Sequence, residues 1–123
     1  GMVETNVNIA AVTMNGDTIT SCVIDAVQAQ ISFDGQGQIL TDLSAPVLSK
    51  NDRGADYGMG AISGIGKEWN EQAAAFAAYV TGKTLDQVAG IAVDEAAKPA
   101  EADLASSVTI SIGGFQALLE KLR

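Results

Sequence analysis

The chain has 123 residues, 47% of them hydrophobic, so it has the material for one domain with its own core; it lacks the run of about eighteen apolar residues that would span a membrane. Fifteen acidic residues against seven basic ones give a net charge of −8, a surface that repels phosphate backbones and disfavours a nucleic-acid partner. One cysteine, Cys22, and no histidine exclude an internal disulfide, a Ser-His-Asp or Cys-His centre and the usual zinc sites. With no pair of carboxylates in a supporting context either, the composition points away from an enzyme.

The first third reads as a β-meander. Asn6 to Met14 is rich in Val, Ile and Thr, and Asn15-Gly16 is a hairpin signal because both residues tolerate positive φ. Thr18 to Phe33 continues without a breaker, but its apolar parity changes. Cys22, Ile24 and Ala26 share one face, whereas Val27, Ala29, Ile31 and Phe33 share the other. A strand cannot change its buried face without a bulge or break, expected here near Asp25 to Val27. Asp34-Gly35-Gln36-Gly37 makes the next turn, and Gln38 to Thr41 is expected to return as a third strand. Asp42 to Asp56 reads as a loop.

Trp69, Ala73, Phe76 and Val80 recur at three- and four-residue spacing, which predicts a helix over Lys67 to Thr81. The glycines before it argue against an earlier start. Gly82 suits the stop, and Thr84-Leu85-Asp86-Gln87 is a capping box that opens a short second helix. Asp94 to Ala102 is a polar connector. Val108 to Ile112 is β-branched and reads as a short strand, and Phe115, Leu118, Leu119 and Leu122 mark an amphipathic C-terminal helix. The expected fold is therefore α+β: a single domain over residues 1–123, an antiparallel β-meander with helices packed on one face, and a C-terminal strand-helix unit.

The candidate chemistry lies in Asp103-Leu104-Ala105-Ser106-Ser107-Val108-Thr109. A polar turn there leads into a β-branched step that ends in a hydroxyl just before a helix. Hydroxyls and backbone N–H groups at such an entry suit a phosphate. Equally, the serines serve as caps for the turn and the helix.

The run resembles the attachment motif of FMN-binding domains, Asp-x-x-Ser/Thr-Gly-Ala-Thr. Asp103, Ser106 and Thr109 match at the right spacing, and Ser107 and Val108 stand where the family has Gly and Ala. The opening VTMNGDTITSCVIDA and the middle run YGMGAISGIGKEWNEQAAAFAAYVTGKTLDQV are similar to small secreted or envelope proteins of Gram-positive bacteria related to that family. The resemblance implies FMN as cofactor, with Asp103, Ser106, Ser107 and Thr109 toward its phosphate and Trp69, Tyr57 and Met59 as candidates to border its ring. Trp69 also reads as a core anchor, and Tyr57 and Met59 also read as packing residues before the helix. The implied partners are the flavin and a redox partner protein, and a homo-oligomer stays open. The implied location is the cell envelope or outside it, or the cytoplasm if Met2 is the true start. The alternative is a cofactor-free interaction or structural module that has kept the fold and lost the flavin.

Overall fold

Alternating β-branched residues on either side of a Gly-Asp turn give the chain one long antiparallel hairpin. The computed structural model describes residues 1–123. Strand β1 (Met2–Asn15) pairs with β2 (Thr18–Ser32) in a two-stranded sheet. Asn15 lies opposite Thr18, and Gly16 takes φ +63° in the turn between them, a conformation that favours glycine.

The ladder carries one irregularity, and it is not near Asp25 to Val27. Thr13 pairs with Ser21 and Met14 with Ile19, so Thr20 is the bulged residue. The bulge lets buried Ile19 share a face with Cys22, Ile24 and Ala26, although its sequence parity differs from theirs. From Ser21 onward the register is unbroken. Val27, Ala29 and Ile31 therefore lie on the opposite face from the core and do not require a second bulge.

Gln38 to Thr41 contributes a single bridge, Phe33 with Ile39, rather than a third strand. The preceding turn forms as its sequence predicts: Gly37 takes φ +80° and Asp34 Oδ1 accepts from Gln36 N and Gln38 N. Pairing ends at once because Ser32 N donates to the side-chain oxygen of Thr41, not to a backbone carbonyl, and Asp42 turns the chain by accepting from Ser44 N.

The helices are α1 (Lys50–Arg53), α2 (Trp69–Val80), α3 (Leu85–Ala89), α4 (Ala102–Ala105) and α5 (Gly113–Glu120), with short 3-10 turns at Gly54–Tyr57 and Met59–Ala61. Helix α2 lies along β2. Glu71 supports its start by accepting from Glu68 N at 3.1 Å, and Gly82 follows it at φ +90°. Helix α3 opens with the reciprocal bonds of a capping box, Gln87 N to Thr84 Oγ1 and Thr84 N to Gln87 Oε1.

The core forms where Ile19, Ile24 and Ala26 meet Trp69, Ala73, Phe76 and Val80. Leu85, Val88, Ile91, Leu104, Val108, Ile112, Phe115 and Leu119 close it from the C-terminal side. Phe115 is its aromatic hinge, with ring centres 5.3 Å from Phe76 and 5.9 Å, edge-on, from Trp69. The α+β class is thus observed as a hairpin whose inner face is covered by helices.

Val108 to Ile112 is irregular and joins no sheet, with Ile112 at φ −106°, ψ 1°. Val108 and Ile112 are fully buried, so their β-branched character serves the core. The backbone bonds of the segment go elsewhere: Val108 N to Leu104 O and Ile112 N to Ala97 O.

Candidate functional site

Gln72 is the buried polar side chain around which the candidate site is built. It projects from α2 on the same side as Trp69, Ala73 and Phe76 and has no solvent exposure. Its Oε1 accepts from Thr109 N at 2.8 Å, Ile110 N at 3.2 Å and Thr109 Oγ1 at 3.3 Å. Its Nε2 donates to Lys67 O at 3.1 Å and Ser63 Oγ at 3.3 Å. One amide therefore fixes the Thr109 segment to the Ser63 loop and satisfies two backbone donors that lack a sheet.

Glu68 organises the opposite wall. Its two carboxylate oxygens accept from Met59 N at 3.0 Å and Gly60 N at 2.7 Å. A Cβ on Gly60 would lie 2.4 Å from that carboxylate, so a larger residue there would displace the Glu68 side chain from its two bonds. Nothing in the Gly58–Gly66 sequence announces this clamp, although Glu68 and Glu71 at the mouth of a helix are a visible capping pattern.

Between these walls is a cleft of about 460 Å³ lined by Met59, Ile62, Ser63, Gly64, Gln72, Lys98, Thr109, Ile110 and Ser111. A second cleft of about 400 Å³, lined by Gln28, Gln30, Arg53, Tyr57, Gly58, Met59 and Ile62, adjoins it. Met59 and Ile62 wall both clefts, and Ile62 is 84% exposed. Lys98 stands in the first cleft and Arg53 in the second, and neither is in an ion pair. Lys98 is placed by a tight turn in which Asp94 Oδ1 accepts from Ala96 N and Lys98 N, with Ala97 at φ +60°.

Of the residues singled out from sequence, Thr109 and Met59 line the first cleft, and Tyr57 and Met59 line the second. Tyr57 donates to Gln28 Oε1 at 3.2 Å, and Lys50 and Arg53 each lie 5.0 Å from its ring centre. Trp69 is buried in the core. Asp103, Ser106 and Ser107 sit on or just after α4 and do not line the clefts. Ser106 Oγ donates to Asp103 O and Ser107 Oγ to Leu104 O, which caps the end of α4. Asp103 Oδ1 accepts from Leu104 N. Val108 points into the core, away from the cleft. Gln72 and Lys98 were not among the sequence candidates, and Ser63 and Ser111 read from the sequence as caps. Gln72 alone carried a signal, as a polar residue on the apolar stripe of α2.

A third cleft, of about 390 Å³, separates β2 from α2 and is lined by Cys22, Val23, Ile24, Asn51, Asn70 and small residues of α2. Two buried side-chain oxygens there, Asn51 Oδ1 and Asn70 Oδ1, have no hydrogen-bond partner. Burial raises the Cys22 thiol pKa, which makes it a weaker nucleophile at neutral pH.

No three His, Cys, Asp or Glu side chains converge as a metal site would require, and no helix is long and apolar enough to cross a membrane. No protein-family model, no curated protein and no solved structure matches this chain.

Proposed function

We propose that the paired clefts hold a flavin mononucleotide non-covalently and that the protein is an FMN-binding-like electron carrier of the bacterial cell envelope. The observation that carries this reading is that Lys98 and Arg53, neither in an ion pair, each line one of two adjoining clefts that share Met59 and Ile62 as walls. A cation in each cleft beside the shared Met59 and Ile62 suits an elongated ligand with an anionic end and a flat apolar body.

In this reading Lys98 and the hydroxyls of Thr109, Ser111 and Ser63 receive the phosphate, and Met59, Ile62 and Tyr57 border the ring. Gln72 positions Thr109 by accepting its N–H at 2.8 Å, and the Thr109 hydroxyl gives up its longer, 3.3 Å bond to the same oxygen to donate its proton to the phosphate. Thr109 is also the residue that matches the acceptor of the family motif. Asp103, Ser106 and Ser107 then act by capping the turn that precedes it. Bound flavin would supply the redox chemistry, and the chain its orientation and its shielding from water.

Titration of FMN into the protein, followed by flavin fluorescence, tests the reading. Quenching that saturates at one flavin per chain is expected. A flavin emission unchanged by excess protein would overturn it. Intact mass of protein from its native host separates this reading from covalent attachment at Thr109, which would add one FMN and be abolished by Thr109→Val.

A further inference from the structure

We propose that the outward face of the hairpin binds a second copy of this chain, face to face, so that two hairpins form a four-stranded sandwich. The register places Val3, Thr5, Val7, Ile9, Ala11 and Thr13 of β1 on that face, opposite Ile31, Ala29, Val27, Asp25, Val23 and Ser21 of β2. The core helices pack on the other face, where Ala10, Val12, Met14, Cys22, Ile24 and Ala26 meet the core, and α1 reaches the open face at Asp25, through Asn51 N. On the open face Val3, Val7, Ile9, Val23 and Ile31 all remain exposed, Val7 by 47%, Ile9 by 52% and Val23 by 62%.

The far half of β1 makes the need for a partner specific. Every residue from Met2 to Ile9 is exposed. Its inner face there is polar, with Glu4 accepting from Asn6, Gln28 and Gln30 side chains, so it has no apolar core of its own. Fixing a residue in a strand costs roughly 1–2 kcal/mol of conformational entropy, and a lone two-stranded ribbon is marginal in water. Only the Val-Ile face offers burial to offset that cost.

Charge and size both select a second copy. The chain carries −8, yet this face holds one ionisable group, Asp25. Its carboxylate accepts from Ala26 N at 2.7 Å and Asn51 N at 3.0 Å. Each copy thus brings a single carboxylate, held by backbone N–H groups, into an otherwise uncharged face on a chain of net charge −8. At about 3.4 Å per residue and about 4.8 Å between strands, the face from Val3 to Thr13 is roughly 37 Å long and 10 Å wide. With side-chain relief, two such faces bury on the order of 1,000 Å², about the lower bound for a specific interface, so the dimer is a weak, concentration-dependent one. The clefts that flank Met59 lie on the helical side, so the association does not depend on whether flavin binds.

Sedimentation equilibrium of the full chain over a concentration series tests the proposal. The expected result is a species of twice the chain mass. The double substitution Val7→Asp and Ile9→Asp should weaken it by at least about a hundredfold, because each dimer would then bury like charges. Both side chains are half exposed in the single chain, so its own core is spared. Mixing that variant with Val7→Lys and Ile9→Lys should restore the dimer. On the unaltered protein, isotope-filtered NOEs in a mixture of labelled and unlabelled chains should connect Val7 and Ile9 methyl groups across copies. A monomer at every concentration, a dimer indifferent to the Asp pair, or intermolecular NOEs that omit these methyls would overturn the proposal.

Discussion

Gln72 Oε1 accepts the backbone N–H of Thr109 at 2.8 Å across 37 residues of sequence, joining the long helix to the segment that carries the candidate phosphate end. The same oxygen takes the Ile110 N–H, so one side chain replaces the neighbouring strand that this segment lacks. Gln72→Leu keeps the size of the side chain and removes the acceptor, leaving two part-buried N–H donors without a protein partner. The expected loss is about 2–3 kcal/mol in urea unfolding, from the unmet donors less what solvent recovers. If the variant unfolds within about 0.5 kcal/mol of the parent, the amide is not what holds the segment.

Lys98 lines the cleft beside Thr109 and Ser111, free of any carboxylate. If it meets the phosphate of FMN, Lys98→Glu replaces an attraction with a repulsion. FMN affinity should then fall by at least about tenfold, consistent with the strength of a charge-assisted hydrogen bond. Riboflavin has no phosphate and should bind both proteins alike. Parallel fluorescence titrations with the two flavins make the comparison. An equal loss for both ligands would place the effect on the ring or on the fold instead.

Asn70 lies in the first turn of α2, and its side-chain oxygen is buried without a partner beside Asn51 Oδ1. Asn70→Ala removes an unmet acceptor and introduces the strongest helix former. Stability should rise by about 0.5–1 kcal/mol. Thermal unfolding of the two proteins side by side measures it. A clear destabilisation would mean that the oxygen has a partner in solution, and the cleft between β2 and α2 would then be the place to seek it.

The parts of this fold that were legible in the sequence are those whose causes are local. The Gly16 turn, the Gly37 turn, helix α2 with Gly82 behind it and the Thr84 capping box all follow from residues within a few positions of each other. The parts that were not legible depend on distant partners. Val108 to Ile112 has the composition of a strand because Val108 and Ile112 are buried, but its backbone is satisfied by Gln72 and Ala97. No local pattern distinguishes that from a ladder. Side-chain parity points to a bulge near Asp25 to Val27 only if Val27, Ala29 and Ile31 are buried within the chain. The structure leaves that face open and moves the irregularity to Thr20. At the candidate site, Thr109 and Met59 were found by motif and loop position. Lys98 could not be found that way, since only the folded turn at Asp94 brings it to the cleft.

Glu4 offers a pH test of the exposed arm. Hydrogen bonds from the Asn6, Gln28 and Gln30 side chains, with a smaller contribution from the charge of Lys50, hold its carboxyl down to about 2 from an ordinary value of 4.5. A folded-state value below the unfolded one stabilises the arm at pH values above 4.5. That contribution is lost progressively as pH falls from there through about 2. Glu4 is fully exposed, so the effect on global stability is small, and the informative measurement is local. The carboxyl carbon chemical shift of Glu4, followed by NMR from neutral pH downward, should titrate with a midpoint near 2. Gln30→Ala should move the midpoint upward by removing one donor, and added salt should move it only slightly, because hydrogen bonds rather than charge dominate the shift. A midpoint at 4.5 in the unaltered protein would show that the three amides do not hold the carboxylate and that the arm is not ordered as described.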